Sequence, residues 1–222
     1  DLVMAPVVDA QGRLIGRLTV DAVVDYIRES ADSDMLSMAG LKEEEDLFST
    51  VWRAAKNRWM WLAINLCTAF IASRVIGAFE GSIEKLAALA ALMPIIAGIG
   101  GNSGNQTTTL IIRGLALGHI TPSNARRLVV KEIGVAMLNG LMWGSVVGVF
   151  AWLLYDNPAL GGVMALAMLL NLLVAALAGI FIPMTLERVK RDPAIGSSVM
   201  ITFITDSMGF FIFLGLATVL LL

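Results

Sequence analysis

The chain has 222 residues, 57% of them hydrophobic and only 15% charged, with a mean hydropathy of +0.79. Soluble domains carry about 25% charged residues, so a globule of this size has no aqueous surface for so much apolar side chain; an ordinary soluble enzyme is excluded and a membrane is indicated. Charge is divided along the chain: residues 1–50 hold 11 acidic and 4 basic side chains, residues 51–222 hold 7 and 12.

The chain starts at Asp1 with neither Met nor a signal-peptide pattern and reads as a piece of a longer protein. Ala5–Asp9 predicts a short strand, Asp9–Gly12 a turn, and the alternating Arg13–Val20 a second strand. Asp21 is expected to cap a helix over Ala22–Arg28. About 30 residues bury too little to fold alone, so this is the remnant of a larger cytosolic domain. Residues 30–50 are polar and acidic, with Asp32, Asp34, Glu43, Glu44, Glu45 and Asp46, and predict a linker. Leu47–Arg58 predicts an amphipathic helix with Arg53, Lys56 and Arg58 at the membrane surface.

Five long apolar segments follow, near Trp59–Phe79, Lys85–Ile112, Leu128–Tyr155, Leu160–Leu186 and Ala194–Leu222. Each reaches the roughly 20 residues that span a bilayer. The connections are short and polar or hold Pro and Gly. Ten Lys and Arg fall on one side of these spans, from Arg53 to Arg191, against Arg74 and Lys85 on the other. The positive-inside rule therefore places the N-terminus in the cytosol and the C-terminus outside.

Asp206 is read as the only carboxylate well inside a span, roughly 16 Å from the cytosolic start of the fifth at 1.5 Å per residue. A charge there costs a few kcal/mol at the least, which marks a functional position; the bland alternative is a protonated Asp hydrogen-bonded to a neighbouring helix. Ser198, Thr202 and Asp206 recur every four residues and form one polar stripe, although Ser and Thr in membrane helices often bond their own i−4 carbonyls. The second span carries Pro94 and the run Gly98 to Thr109. Pro94 frees the carbonyl of Ala90, and such a carbonyl is tolerated at depth where it lines a cavity. Gly98, Gly100, Gly101 and Gly104 suit close helix packing, but packing does not ask for Asn102, Asn105 and Gln106 in the same run. Counting along straight helices sets Asn102 level with Ser198, and Pro94 near the depth of Asp206. Glu132 is expected at the interface beside Lys131. Asn139 and Asn171 are expected to bond between helices, Cys67 to be a core residue, and His119 to be solvated.

Carboxylate, amide, hydroxyl and carbonyl oxygens suit Mg²⁺, Ca²⁺ or Mn²⁺, and Mg²⁺ keeps several waters and needs few direct ligands. Inward flow of a divalent ion gains roughly 4.6 kcal/mol per 100 mV, twice the single-charge value. There is one Cys and one His, which argues against an internal disulfide framework or a Cys/His zinc site. No Ser/His pair, paired carboxylates or HExxH appears, so an enzyme is not expected, and no nucleic-acid partner is expected.

These residues resemble the transmembrane domain of the MgtE family of magnesium channels. Pro94 to Gln106, with Gly100-Gly101-Asn102-Ser103-Gly104-Asn105-Gln106, resembles its second-helix signature. Leu110 to Ala116, Lys131 to Gly134, Asp192-Pro193-Ala194 and Asp206 resemble further family positions. Residues 1–30 resemble the end of a CBS domain, residues 31–58 the acidic linker and plug helix, and residues 59–222 the five-helix channel domain. The resemblance implies an all-α transmembrane fold preceded by a short α/β remnant. It also implies a homodimer in the lipid bilayer of the cell membrane, with the pore on the two-fold axis lined by the second and fifth helices. Asp206 of both subunits would hold hydrated Mg²⁺, with Ser198, Thr202, Asn102, Asn105 and Gln106 as pore-lining or hydration-shell residues. Asp21, Asp25 and Asp34, with Glu29 and Asp32 nearby, would bind regulatory Mg²⁺ and close the pore by feedback. A coupled, Na⁺-linked divalent cation transporter is the alternative; such transporters usually show internal repeats, and none is seen.

Overall fold

The computed structural model describes residues 3–41, 47–121 and 123–222, and of Asp34 the backbone alone. Glu43, Glu44, Glu45 and Asp46 of the acidic linker and Pro122 of the second connection lie outside the described residues. Strand β1 (Met4–Val8) pairs antiparallel with β2 (Leu14–Thr19). The turn between them is tied by the Asp9 carboxylate, whose Oδ1 accepts from the backbone N–H groups of Gln11 and Arg13 at 2.9 and 2.8 Å.

Helix α1 (Val20–Met38) differs from expectation at both ends. Thr19, not Asp21, is the N-cap, its hydroxyl accepting from the Ala22 N–H at 3.4 Å, while Asp21 lies in the first turn where a negative charge meets the helix dipole. The helix continues ten residues beyond Arg28 because no Gly or Pro interrupts it before Gly40, which turns the chain at φ +74°. A Cβ on Gly40 would fall 2.1 Å from the Trp61 ring, so the exit of α1 lies directly on the next helix. That helix, α2 (Val51–Gly77), is continuous. The amphipathic segment expected to end at Arg58 and the first apolar segment form one rod, since no breaker occurs before Gly77.

The first connection folds as a short helix, α3 (Glu80–Lys85). It is followed by α4 (Ala88–Ala116), α5 (Ala125–Tyr155), α6 (Pro158–Arg188) and α7 (Ser197–Leu221). Asn157 caps α6 by accepting from the Leu160 N–H at 3.0 Å, and Pro158 takes the first helical position, where its missing N–H costs nothing. Among the described residues four helices, α2, α5, α6 and α7, are long and apolar enough to cross a membrane. Helix α4 has the length, 29 residues, but its glycine, amide and threonine run interrupts its apolar stretch, so it is not among those four. Backbone and side-chain polarity of that kind needs protein or water against it at membrane depth.

The packing supplies part of that cover. Helix α6 is the hub, touching α4, α5 and α7, while α2 lies outside against α7. Leu89, Ile96, Met164, Met168, Leu172, Phe213 and Leu214 are fully or almost fully buried between α4, α6 and α7. Glycines set the approach of α5 to α6. A Cβ on Gly144 would meet the Ala165 carbonyl at 2.8 Å, and one on Gly148 the Gly161 carbonyl at 2.7 Å. This is the small-residue contact by which membrane helices associate. These pairings make α5 and α6 antiparallel. Outward, Leu62, Leu66, Phe70, Leu138, Phe150 and Leu153 are exposed. So large an apolar surface fits acyl chains rather than water.

Candidate ion pathway

Helix α4 meets α6 and α7 through its glycines. A Cβ on Gly100 would fall 2.2 Å from Asn171 Nδ2, and one on Gly104 would fall 2.6 Å from Ile201 Cγ2. Both positions therefore require glycine for packing. Gly101 faces Thr205 at 3.6 Å, and Gly98 is open. Asn171, fully buried on α6, donates from Nδ2 to the Ile96 carbonyl of α4 at 3.0 Å. It also lies under Gly209 of α7, where a Cβ would come within 2.8 Å of it. The expected interhelical bond of Asn171 is present. Its Oδ1 and Ser207 Oγ are buried without a partner among the described residues.

Contacts of Gly100 with Thr205 and of Gly104 with Ile201 fix α4 and α7 as antiparallel neighbours. In that register Asp206 comes level with residues 98–100, and Asn102 with residues 202–203. The expected levels, Asn102 with Ser198 and Pro94 with Asp206, are thus displaced by about one turn. The cause is the origin of counting: α4 begins at Ala88 rather than Lys85, and α7 at Ser197 rather than Ile195.

Helices α4 and α5 both lean on α6 but scarcely touch each other. The space between them is an open groove of about 990 Å³, lined by Asn102, Asn105 and Gln106 of α4, Asn139 and Trp143 of α5, and Leu172 of α6. None of the four amide side chains hydrogen-bonds within the described residues. Asn139 therefore does not bridge helices as expected; the splay of α4 from α5 leaves it facing the groove. Neutral amide oxygens of this kind can accept hydrogen bonds from the waters of a hydrated cation.

Asp206, Thr202 and Ser198 are not part of that lining. They stand on α7, with Asp206 and Ser198 half-buried and Thr202 exposed. The Thr202 hydroxyl donates to the Ser198 carbonyl at 3.0 Å, the i−4 bond expected of such residues. Asp206 makes no hydrogen bond or ion pair among the described residues, so the bland alternative of a bond to a neighbouring helix finds no partner among them. The structure thus presents two separate polar surfaces, the amide groove and the α7 stripe.

Glu132 was not foreseen as an intramembrane group. It is 4% exposed and lies about 10 Å into α5 at 1.5 Å per residue. Its carboxylate accepts from Lys131 Nζ at 2.8 Å and from the Thr107 hydroxyl of α4 at 3.2 Å, which compensates the burial of the charge. The signal was the spacing of Glu132 and Asn139, seven residues apart and hence on one face. On α1, Asp21, Asp25, Glu29 and Asp32 are exposed and share one face by their helical spacing, while the side chain of Asp34 lies outside the described residues. No group of three or more His, Cys, Asp or Glu poised for a metal occurs among the described residues. Cys67, expected in the core, is exposed on α2, whose outer face has no protein against it. His119 is exposed as expected.

A bundle of long apolar helices around a glycine-rich helix, whose groove amides make no side-chain hydrogen bond among the described residues, defines a multi-pass membrane protein. The MgtE family, described as "Divalent cation transporter", matches residues 93–216, more than half of the chain. The magnesium transporter MgtE of Thermus thermophilus is 35% identical over the whole chain and 49% of its own length. Those of Bacillus subtilis and Enterococcus faecalis are 30% and 31% identical over 98% of the chain and 48% of their lengths. The chain belongs to the MgtE family and spans about half the length of these relatives.

Proposed function

We propose that the chain is the membrane part of a magnesium-selective channel that admits Mg²⁺ into the cell down its electrochemical gradient. In this reading α2, α4, α5, α6 and α7 all span, two copies meet about a two-fold axis, and α4 and α7 line the passage. The basic ends of the helices face the cytosol with the N-terminus, and the C-terminus is outside. The observation that carries the reading is Asp206, a half-buried carboxylate without a partner among the described residues, on the helix packed directly against the glycine-amide run. Two such carboxylates about an axis would hold a hydrated divalent ion through its waters, with Ser198, Thr202, Asn102, Asn105 and Gln106 bonding the outer hydration shell. The relatives are named magnesium transporters, which supports the choice of ion. For regulation, the carboxylates of Asp21, Asp25, Glu29 and Asp32, with Asp34 following, repel one another until intracellular Mg²⁺ bridges them. Residues 1–30 then act as the end of a CBS domain and residues 31–58 as linker and plug.

The test is Mg²⁺ flux into liposomes by wild type and Asp206→Asn. The substitution keeps the shape and removes the charge, so flux is expected to fall by about tenfold or more, tenfold being about 1.4 kcal/mol in site occupancy, with size-exclusion behaviour unchanged. Equal flux would remove Asp206 from the passage. Flux that requires an imposed Na⁺ gradient would replace the channel by a coupled transporter.

A further inference from the structure

A second cavity, of about 550 Å³, lies where the C-terminal end of α4 meets the N-terminal end of α5. Its polar wall is Arg127, Lys131, Glu132 and His119, and its apolar wall includes Ile111 and Leu128. The connection over it is held in shape by its own bonds. Gly118 turns the chain at φ +64°, and His119 N–H donates to the Gly114 carbonyl at 2.8 Å. Asn124 closes the loop by donating to the His119 carbonyl at 2.7 Å and accepting from the Thr121 N–H at 2.9 Å. Ile120 folds onto Gly114, where a Cβ would meet its Cδ1 at 2.9 Å.

The charges within it are unequal. Glu132 is already bound by Lys131 and Thr107, whereas Arg127 has no carboxylate partner among the described residues. One unpaired guanidinium over an apolar wall, at the end of the bundle where Arg113, Arg126 and Arg188 also gather, matches an amphiphile with a phosphate head. Leu110, which lines both this cavity and the amide groove, is 55% exposed, and this gives an acyl chain an apolar contact beside the head.

We propose that this cavity binds the phosphate headgroup of an anionic phospholipid, with Arg127 as its principal contact and Lys131 as the second cation. The proposal rests on the chain lying in a membrane and not on which ion it transports, so loss of Mg²⁺ flux in Asp206→Asn leaves it standing.

The test is native mass spectrometry of the purified full chain released from nanodiscs of phosphatidylglycerol or of phosphatidylcholine. Wild type is expected to retain phosphatidylglycerol in preference to phosphatidylcholine. Arg127→Gln is expected to weaken that retention about fivefold, the equivalent of about 1 kcal/mol per cationic side chain near a membrane. Arg127→Lys should restore most of it. Arg191→Gln, an equal loss of charge at the same end of the bundle but outside the cavity, should retain it as wild type does. Equal retention of the two lipids, or equal loss in Arg127→Gln and Arg191→Gln, would overturn the site. Inorganic phosphate that occupies the cavity as well as the lipid does, in detergent without lipid, would reassign it to a free anion.

Discussion

Asn171 shows how one amide can fix a helix interface. It sits between α4 and α7 only because Gly100 and Gly209 leave room for it. Replacing it with Ala removes the bond to Ile96 and leaves a void at a fully buried position. Loss of such a bond costs about 1–3 kcal/mol, so Asn171→Ala should lower the unfolding temperature in detergent. Asn139→Ala, which removes no side-chain hydrogen bond among the described residues, should leave it within error of wild type. A reversal of that order would show that Asn139 is the structural amide. The sequence made Asn171 legible, since an amide in an otherwise apolar helix must bond to something. It did not separate Asn171 from Asn139, because the distinction depends on the splay of α5 from α4, which no spacing records. Glu132 was hidden for a related reason: next to a lysine it resembles a surface pair, and its burial appears only when Thr107 of another helix closes over it.

At the scale of elements, the apolar segments were visible as long hydrophobic runs, and their connections as clusters of polar, Pro and Gly residues. Their ends were less visible, and the ends set the register of α4 against α7. The continuity of α2 was also concealed, because its charge content changes at Trp59 while its backbone does not. Contact between α5 and α6 depends on backbone proximity rather than side-chain size. Gly148→Ala would place a methyl group 2.7 Å from the Gly161 carbonyl and should destabilise the bundle by about 1–3 kcal/mol, as overpacking does. Gly162→Ala points into open space and should be neutral or stabilising by up to about 1 kcal/mol through helix propensity. Thermal unfolding of the two variants in the same detergent checks the contrast. Equal stabilisation by both would mean that helix propensity, not interhelical distance, governs these positions.

For the whole molecule, the proposed dimer brings two copies of α7 together across an axis. Thr202 is exposed on that helix, and the chain has a single cysteine, Cys67, so a cysteine-free background is simple to make. In Cys67→Ser, Thr202→Cys should be linked into a dimer in membranes by a bifunctional thiol reagent long enough to cross the passage, whereas Val219→Cys, also exposed, should not. Two thiols bridge directly only when their Cα atoms lie within about 7 Å, closer than a passage for a hydrated ion allows, so the reagent is the probe, and a monomeric band for Thr202→Cys would place the α7 helices apart. The antiparallel contacts of α5 with α6 and of α4 with α7 bring the basic ends of α4 to α7 to one end of the bundle, a pattern the sequence already carried in its Lys and Arg distribution.

Helix α6 has a mechanical consequence of its own. It is clasped by α5 at backbone distance and pinned to α4 and α7 through Asn171, so it is the part of the bundle least free to shift. Widening between α4 and α7 would then work like a pair of scissors, with the blades turning about a rivet at Asn171 while the post behind it stays still.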